Sequence, residues 1–290
     1  MIEAAQKRHW NVFTMTLDDL FVESALPIAV AQQIKIDRKK TPYFEIQQKI
    51  ITKLDDFDII LMRKDPPFNI EYIYASSVLG LVDSKKTLVS NNPSSLRLFN
   101  EKFFINYTPD WIAPTLFTRN HEIMESFIAK QGKVVVKPMD FMGGKGVFVI
   151  DPKDSNRSVI LETLTEGFTK TIVVQKYCPE ISEGDRRVLV IGGEPIPNVM
   201  IRKPSKTDHR GNLAAGATPE FGKITETEKK IVRELKPFLI EHGLHLVGLD
   251  LIGPYVTEIN ITSPTGLVHL DQHFGTDIGS QYLDYLETLI

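Results

Sequence analysis

Two carboxylates and one amide are the residues whose spacing most clearly suggests chemistry. Glu258 and Asn260 stand two apart in an apolar run, so on a strand both side chains leave the same face. Asp250 lies in a preceding apolar run, with Gly253-Pro254 between the two. A two-residue turn there would pair Asp250 with Thr257 and send Glu258 to the opposite face. A three-residue loop, residues 253–255, pairs Asp250 directly with Glu258 and gathers all three side chains on one face. That set of hard oxygens suits Mg²⁺, or Mn²⁺ in its place, in contact with phosphates. Without a cation the carboxylates would repel each other. The competing reading is a solvent-facing polar side of a sheet. The neighbours Val247, Leu249, Leu251, Ile259 and Ile261 argue instead for a buried sheet, and a metal site is expected.

Two further stretches could handle phosphate. Residues 133–146 read KVVVKPMDFMGGKG, an apolar strand ending in Lys137 and then a glycine-rich loop whose backbone N–H groups could approach a phosphate closely. The plainer reading is a tight hairpin with an exposed Lys145. Arg186-Arg187, Arg202-Lys203 and Arg210-Gly211-Asn212 supply planar cations suited to carboxylate and phosphate, although each arginine alone is an ordinary surface residue. Residues 203–216 are nearly free of large apolar side chains and are expected to form a mobile loop. His269 and His273 lack the HExxH pattern of a metal helix, and Cys178 has neither a partner nor a base beside it.

These residues need a scaffold of ordinary globular composition. The chain has 290 residues, 42% hydrophobic and 24% charged, with a net charge of −3, which argues against a dedicated nucleic-acid binder. No apolar run is long enough to span a membrane, no secretory leader is visible at the start, and a single cysteine fits a cytoplasmic setting. Apolar runs of strand length alternate with segments of helical period, giving an α/β class. Strands are expected at 12–16, 58–62, 87–90, 115–118, 133–137, 146–150, 171–176, 187–191, 195–202, 246–252 and 256–261. Helices are expected at 72–82, 121–130, 225–241 and from 278. The helix from Thr225 is the best marked: Thr225 and Glu228 form a capping box, Ile231, Leu235, Phe238 and Leu239 share a face, and Gly243 sits at the end.

Read together, the motifs ILMRKDPPF (60–68), NEKF (100–103), VKPMDFMGG (136–144), GDRRVLV (184–190), RGNLAAG (210–216), VGLDLIG (247–253) and TEINITSPT (257–265) resemble the prokaryotic-type glutathione synthetases of the ATP-grasp superfamily. The resemblance covers nearly the whole chain. It implies an ATP-grasp fold after a parallel α/β N-terminal domain, divided at residues 1–99, 100–176 (lid) and 177–290 (Mg²⁺ site). It implies that Lys102, Lys137, Gly143, Gly144, Gln175, Tyr177 and Asp185 bind ATP, with Gln175 and Tyr177 at the adenine hinge. Asp250, Glu258 and Asn260 would ligate Mg²⁺; Arg187, Arg210 and Asn212 would act in catalysis, the 203–216 loop ordering over the active site as a lid; Arg63, Ser263 and Thr265 would line the peptide side. The implied reaction joins γ-glutamylcysteine to glycine through an acyl phosphate, in a homo-oligomeric, cytoplasmic enzyme. Another ATP-grasp carboxylate–amine ligase, or a nucleotide-binding protein of weak activity, would share the ATP residues; Arg63-Lys64-Asp65-Pro66-Pro67 with Arg210-Gly211-Asn212 point to the glutathione branch.

The chain departs from the family pattern in three places. Phe141 stands where the phosphate loop usually has glycine, and Val268-His269 replace a common Arg-Glu pair. Family members also carry about two dozen residues before the position of Met1, including a first strand. Residues 1–8 are therefore expected to be the remainder of a helix, and 11–16 the second strand of a parallel sheet with an unpaired edge.

Overall fold

The computed structural model describes residues 1–64, 67–205, 208 and 210–290. The chain opens with a short helix, α1 (Ile2–Lys7), followed by β1 (Phe13–Thr14), β2 (Leu20–Glu23), β3 (Leu26–Ile36) and β4 (Phe44–Lys53). All three other strands pair antiparallel with β3, which buries Ala29, Ala31 and Ile34. The stretch at 12–16 therefore does not enter a parallel sheet as expected; Phe13 and Thr14 pair antiparallel with Gln33 and Gln32. The cause is the β3–β4 hairpin, which sequence periodicity missed. Its β4 strand is rich in Gln and Lys and is mostly exposed, and an extra residue interrupts its alternation opposite Gln33 and Ile34. Among the described residues, parallel pairing is confined to β5 (Ile59–Leu61) and β6 (Leu88–Ser90). Between them runs α2 (Ile70–Leu79), capped by the Asn69 side chain, and after them α3 (Pro93–Leu98), capped by Asn92.

A second unit holds β7 (Thr115–Thr118), α4 (His121–Gln131), β8 (Val134–Pro138), β9 (Phe148–Ile150), α5 (Arg157–Leu164) and β10 (Ile172–Lys176). Its strands form one antiparallel sheet in the order β7-β10-β8-β9. Met124, Ile128, Val134, Val136, Ile150, Leu161, Ile172 and Val174 close a separate small core between sheet and helices. A fold unit with its own core can move as a body.

The largest sheet follows: β11 (Asp185–Ile191), β12 (Glu194–Pro195), β13 (Asn198–Lys203) and β14 (Thr218–Lys223), then β15 (Leu246–Ile252) and β16 (Tyr255–Asn260) after the helix α6 (Glu226–Glu241). The order is β14-β13-β11-β15-β16, with β12 on β11. Helix α6 has the expected capping box, with the Thr225 hydroxyl accepting from the Glu228 N–H and the Glu228 carboxylate accepting from the Thr225 N–H. It packs Ile231, Val232, Leu235 and Leu239 into the main core with β11, β15 and β16. On the other face, α1 joins α7 (Leu267–Phe274) and α8 (Ile278–Glu287) over Leu189, Ile191 and Leu246. His273 stacks on Phe221 with ring centroids 4.1 Å apart, which accounts for it as a packing residue.

Candidate active site

The strand pair β15–β16 brings the carboxylates together, by a route other than the expected one. The turn is a two-residue one, with Ile252 opposite Tyr255 and Leu251 opposite Val256. A bulge then absorbs Thr257, so that Asp250 lies opposite Glu258 and Gly248 opposite Asn260. The three side chains share one face, as the three-residue loop would have achieved, and Asn260 Nδ2 lies 3.2 Å from Asp250 Oδ2. The displaced Thr257 is itself used: its carbonyl accepts from Lys137 Nζ at 3.2 Å, and its hydroxyl donates to the Asp250 carbonyl at 3.1 Å.

The charges on this face are balanced by cations. Arg187 forks onto both oxygens of Asp250, and Arg202 Nη2 sits 2.9 Å from Asp250 Oδ2 and 2.6 Å from Asp185 Oδ2. Burial pushes the Asp250 carboxyl up, but the two guanidiniums outweigh it and hold the group well below the usual carboxylate range. Burial raises the Asp185 carboxyl, with repulsion from Asp250 and Glu258 adding to it, and the pull of Arg202 and Arg187 does not outweigh them. Its Oδ1 is buried without a partner among the described residues. Lys102 Nζ pairs with Glu258 Oε1 at 3.1 Å and donates to the Phe141 carbonyl. Removal from water lowers the pKa of Lys137, with Glu258 pulling the other way. Arg202, read from sequence only as one of several clustered cations, was given no place in the site; its register opposite Asp185 on neighbouring strands puts it there.

Lys102, Lys137, Asp185, Asp250 and Glu258 line one open cleft between the β7–β10 unit and the large sheet. Of the predicted residues, Lys102, Lys137, Gly143, Gly144, Gln175, Tyr177, Asp185, Arg210, Asn212, Asp250 and Glu258 line it. The glycine-rich segment is the loop of the β8–β9 hairpin, and Gly143 and Gly144 have φ of 65° and 78°. A Cβ on Gly144 would lie 2.5 Å from Asn212 Oδ1, and Arg210 Nη1 donates to the Gly144 carbonyl at 3.0 Å. The glycine loop and the segment carrying Arg210 and Asn212 therefore meet across the cleft. The expectation that residues 203–216 form a mobile lid falls in part on 206, 207 and 209, outside the described residues, as do Asp65 and Pro66 of the 63–67 motif. Phe141, half exposed, stands on the cleft wall with Met142, both in the glycine-rich stretch read from sequence; the apolar Val149, Ile181 and Ile252 on the same wall were not foreseen. Cys178 lines it as well; burial and Glu180 push its thiol up to about 11, so it stays protonated at neutral pH.

Arg187, Asn260, Arg63, Ser263 and Thr265 are not on that lining. They lie behind it around the chain leaving β16: Arg63 Nη2 donates to the Pro264 carbonyl at 2.9 Å and Arg187 Nη1 to the Thr265 carbonyl at 3.3 Å.

The donor set fits a divalent cation bound with a polyphosphate. Asp250, Glu258 and the Asn260 amide oxygen share a face, but no cluster of three or more His, Cys, Asp or Glu side chains occurs among the described residues. Phosphate and water would complete the shell.

An antiparallel four-stranded sheet and a larger sheet facing each other across a lysine-, arginine- and carboxylate-lined cleft define the class: this is an ATP-grasp ligase fold. The profile of the prokaryotic glutathione synthetase ATP-grasp domain matches residues 101–275, and that of the prokaryotic glutathione synthetase N-terminal domain matches residues 1–97. The chain belongs to the prokaryotic glutathione synthetase family. Glutathione synthetase of Pseudomonas syringae pv. tomato is 43% identical over 287 residues, covering 99% of this chain and 90% of the relative. The Coxiella burnetii glutathione synthetase is 38% identical over 288 residues, with the same coverage. In fold, the chain resembles a RiPP-associated ATP-grasp ligase of Chryseobacterium gregarium (TM-score 0.65, 17% identity, 99% of this chain and 92% of that one) and a D-cycloserine synthetase (TM-score 0.63, 15% identity, 80% and 84%).

Proposed function

We propose that this chain makes glutathione by joining γ-glutamylcysteine to glycine at the expense of ATP. The observation that carries the reading is the meeting of Lys102, Lys137, Gly143-Gly144 and the Asp250–Glu258 face in one cleft. The glycine carboxylate of the product is not touched by the chemistry; the reacting carboxylate is that of the dipeptide's cysteine. It attacks the γ-phosphorus of ATP, ADP leaves, and the resulting acyl phosphate is attacked by the glycine amine, which loses a proton as inorganic phosphate departs. Negative charge spreads over the transferring group throughout, so positioned cations and dipoles carry the catalysis.

In this reading Lys102 and Lys137 neutralise the phosphates, and the backbone at Gly143 and Gly144 approaches them. Gln175 and Tyr177 border the adenine, and Asp185 holds Arg202 at the nucleotide end. Asp250, Glu258 and Asn260 would hold Mg²⁺, or Mn²⁺ in its place, and the cation would supply charge neutralisation to the phosphates. Arg187 fixes Asp250 and reaches toward the transferred group, while Arg210 and Asn212 close over it and exclude water. Arg63, Ser263 and Thr265 border the dipeptide. The working units are residues 1–99, 100–176 and 177–290, with the middle one acting as the lid.

The thiol substrate and the ATP requirement favour the cytoplasm. Phe44, Ile46 and Ile51 are exposed on β4, which pairs only with β3 among the described strands, and a two-fold contact between copies there would make a homo-oligomer. The test is phosphate release with ATP and Mg²⁺, offering γ-glutamylcysteine and glycine separately and together. Release only with both supports the reading. Release with a different carboxylate and amine assigns another ligase activity, and ATP binding without release leaves only a nucleotide-binding protein.

A further inference from the structure

The end of β16 is held by two buried side chains outside the cleft lining. Glu101 and Asn91 are each 5% exposed. Continuing the β15–β16 ladder past the Gly248–Asn260 pair would bring Leu246 opposite Thr262. Neither residue makes that rung. The Asn91 amide takes both backbone groups of Leu246: Nδ2 donates to its carbonyl at 2.8 Å, and Oδ1 accepts from its N–H at 2.9 Å. The same Nδ2 donates to the Ile261 carbonyl at 2.7 Å. Glu101 Oε1 accepts from the N–H of Ile261 at 2.7 Å, from the N–H of Thr262 at 2.9 Å and from the Thr262 hydroxyl at 2.9 Å. The Glu101 carbonyl accepts from the Ile259 N–H at 3.0 Å.

A side-chain amide has the same donor and acceptor as a peptide group, so Asn91 replaces the missing rung at no unsatisfied cost. The strand can then leave the sheet at Ile261. Both polar groups of that peptide are fixed, its N–H by Glu101 and its carbonyl by Asn91. The freed chain turns toward Arg63 and Arg187, which take the Pro264 and Thr265 carbonyls. Glu101 is also covalently next to Lys102, which reaches Glu258 and the Phe141 carbonyl, and Asn100, whose Nδ2 donates to the Met139 carbonyl at 3.2 Å. One short segment thereby ties the phosphate loop, the carboxylate strand and the segment beyond it together.

We propose that Glu101 and Asn91 are positioning residues that set where residues 262–265 present themselves to the dipeptide substrate. The assignment of that side to the dipeptide rests on the ligase reading above. Glu101 works as a fixed acceptor, so an amide oxygen in its place serves nearly as well. Glu101→Ala is expected to raise KM for γ-glutamylcysteine by about tenfold, with KM for ATP within about twofold of wild type. Glu101→Gln restores most of the difference. Thr262→Val removes one of the three donors and is expected to give a two- to threefold rise; it remains informative if Glu101→Ala does not fold. Amide exchange at Ile261 and Thr262, measured without substrates, accelerates at least tenfold in folded Glu101→Ala and in Asn91→Ala. A wild-type enzyme that ligates other substrates removes the glutathione reading and leaves this exchange test standing. Unchanged exchange in the folded variants overturns the clamp. Accelerated exchange with unchanged dipeptide KM, or with an equal rise in ATP KM, overturns its role toward the dipeptide.

Discussion

Glu258 has a double duty that its sequence context hides. Taken as one of several like charges, it should be removable with little effect on folding. It instead pairs with Lys102, which is nearly buried, and the nearby acidic groups are matched by Arg187 and Arg202. Glu258→Gln is therefore expected to lower ATP turnover by at least about 100-fold, judged by the cost of losing positioned charge at a phosphoryl-transfer site. It should also cost roughly 1–3 kcal/mol of stability, the worth of a hydrogen bond to a charged group. Steady-state kinetics with a Mg²⁺ titration, beside urea unfolding, measures both. Full stability with lost turnover would show that Lys102 finds another partner.

At the scale of elements, one contact bears on function and another on pH behaviour. The glycine loop of the β8–β9 hairpin meets the Arg210–Asn212 segment so closely that Gly144→Ala must push them apart, besides straining a backbone at φ 78°. The expected result is at least a tenfold loss in kcat/KM for ATP, with thermal stability lowered by only about 1 kcal/mol because the strain lies in a surface loop. Comparing melting with turnover checks this. Elsewhere, the start of β15 packs His245 against Tyr285, its Nδ1 lying 3.2 Å from the Tyr285 hydroxyl, and burial lowers the imidazole pKa to about 4. The folded protein resists protonating this group, whereas the unfolded chain accepts a proton near pH 6.5. Its contribution is complete above pH 6.5 and is lost as pH falls to about 4. A shift of this size is worth at most about 3 kcal/mol. The stability of His245→Gln, followed by melting from pH 7 to pH 4, should fall less steeply than that of wild type. Parallel curves would mean the ring is solvated.

At the scale of the molecule, the cleft lies between the β7–β10 unit, which has its own core, and the large sheet that carries the carboxylates. A ligand bridging them stabilises both. At about 100 times its Kd, Mg²⁺-ATP should add roughly 2.7 kcal/mol, raising the melting temperature by about 5 °C or more for a chain of this size. ATP with EDTA should give a smaller rise, since the Asp250–Glu258 face then meets the phosphates without a cation between them. Equal shifts with and without Mg²⁺ would remove the metal from nucleotide binding. Differential scanning fluorimetry suffices.

Sequence alone determined the features that depend on local spacing. The Thr225–Glu228 box and apolar stripe gave α6, and the glycine-rich hairpin was legible from its apolar flanks. Motif order identified the family, because residues that touch the same ligand stay in fixed order along the chain. The two-residue spacing of Glu258 and Asn260 put both on one face, and that holds in the fold. What the sequence could not decide was set by contacts between distant residues. The bulge at Thr257 is chosen by the carbonyl it offers Lys137, 120 residues away. Arg202 and Glu101 are ordinary charges until β13 and the end of β16 are laid beside them. The β3–β4 hairpin escaped notice because an exposed strand needs little apolar alternation when its partner strand supplies the buried face. Position along the chain fixes which groups are present; only tertiary packing decides which of them are buried together, and burial is what turns a charge into a site.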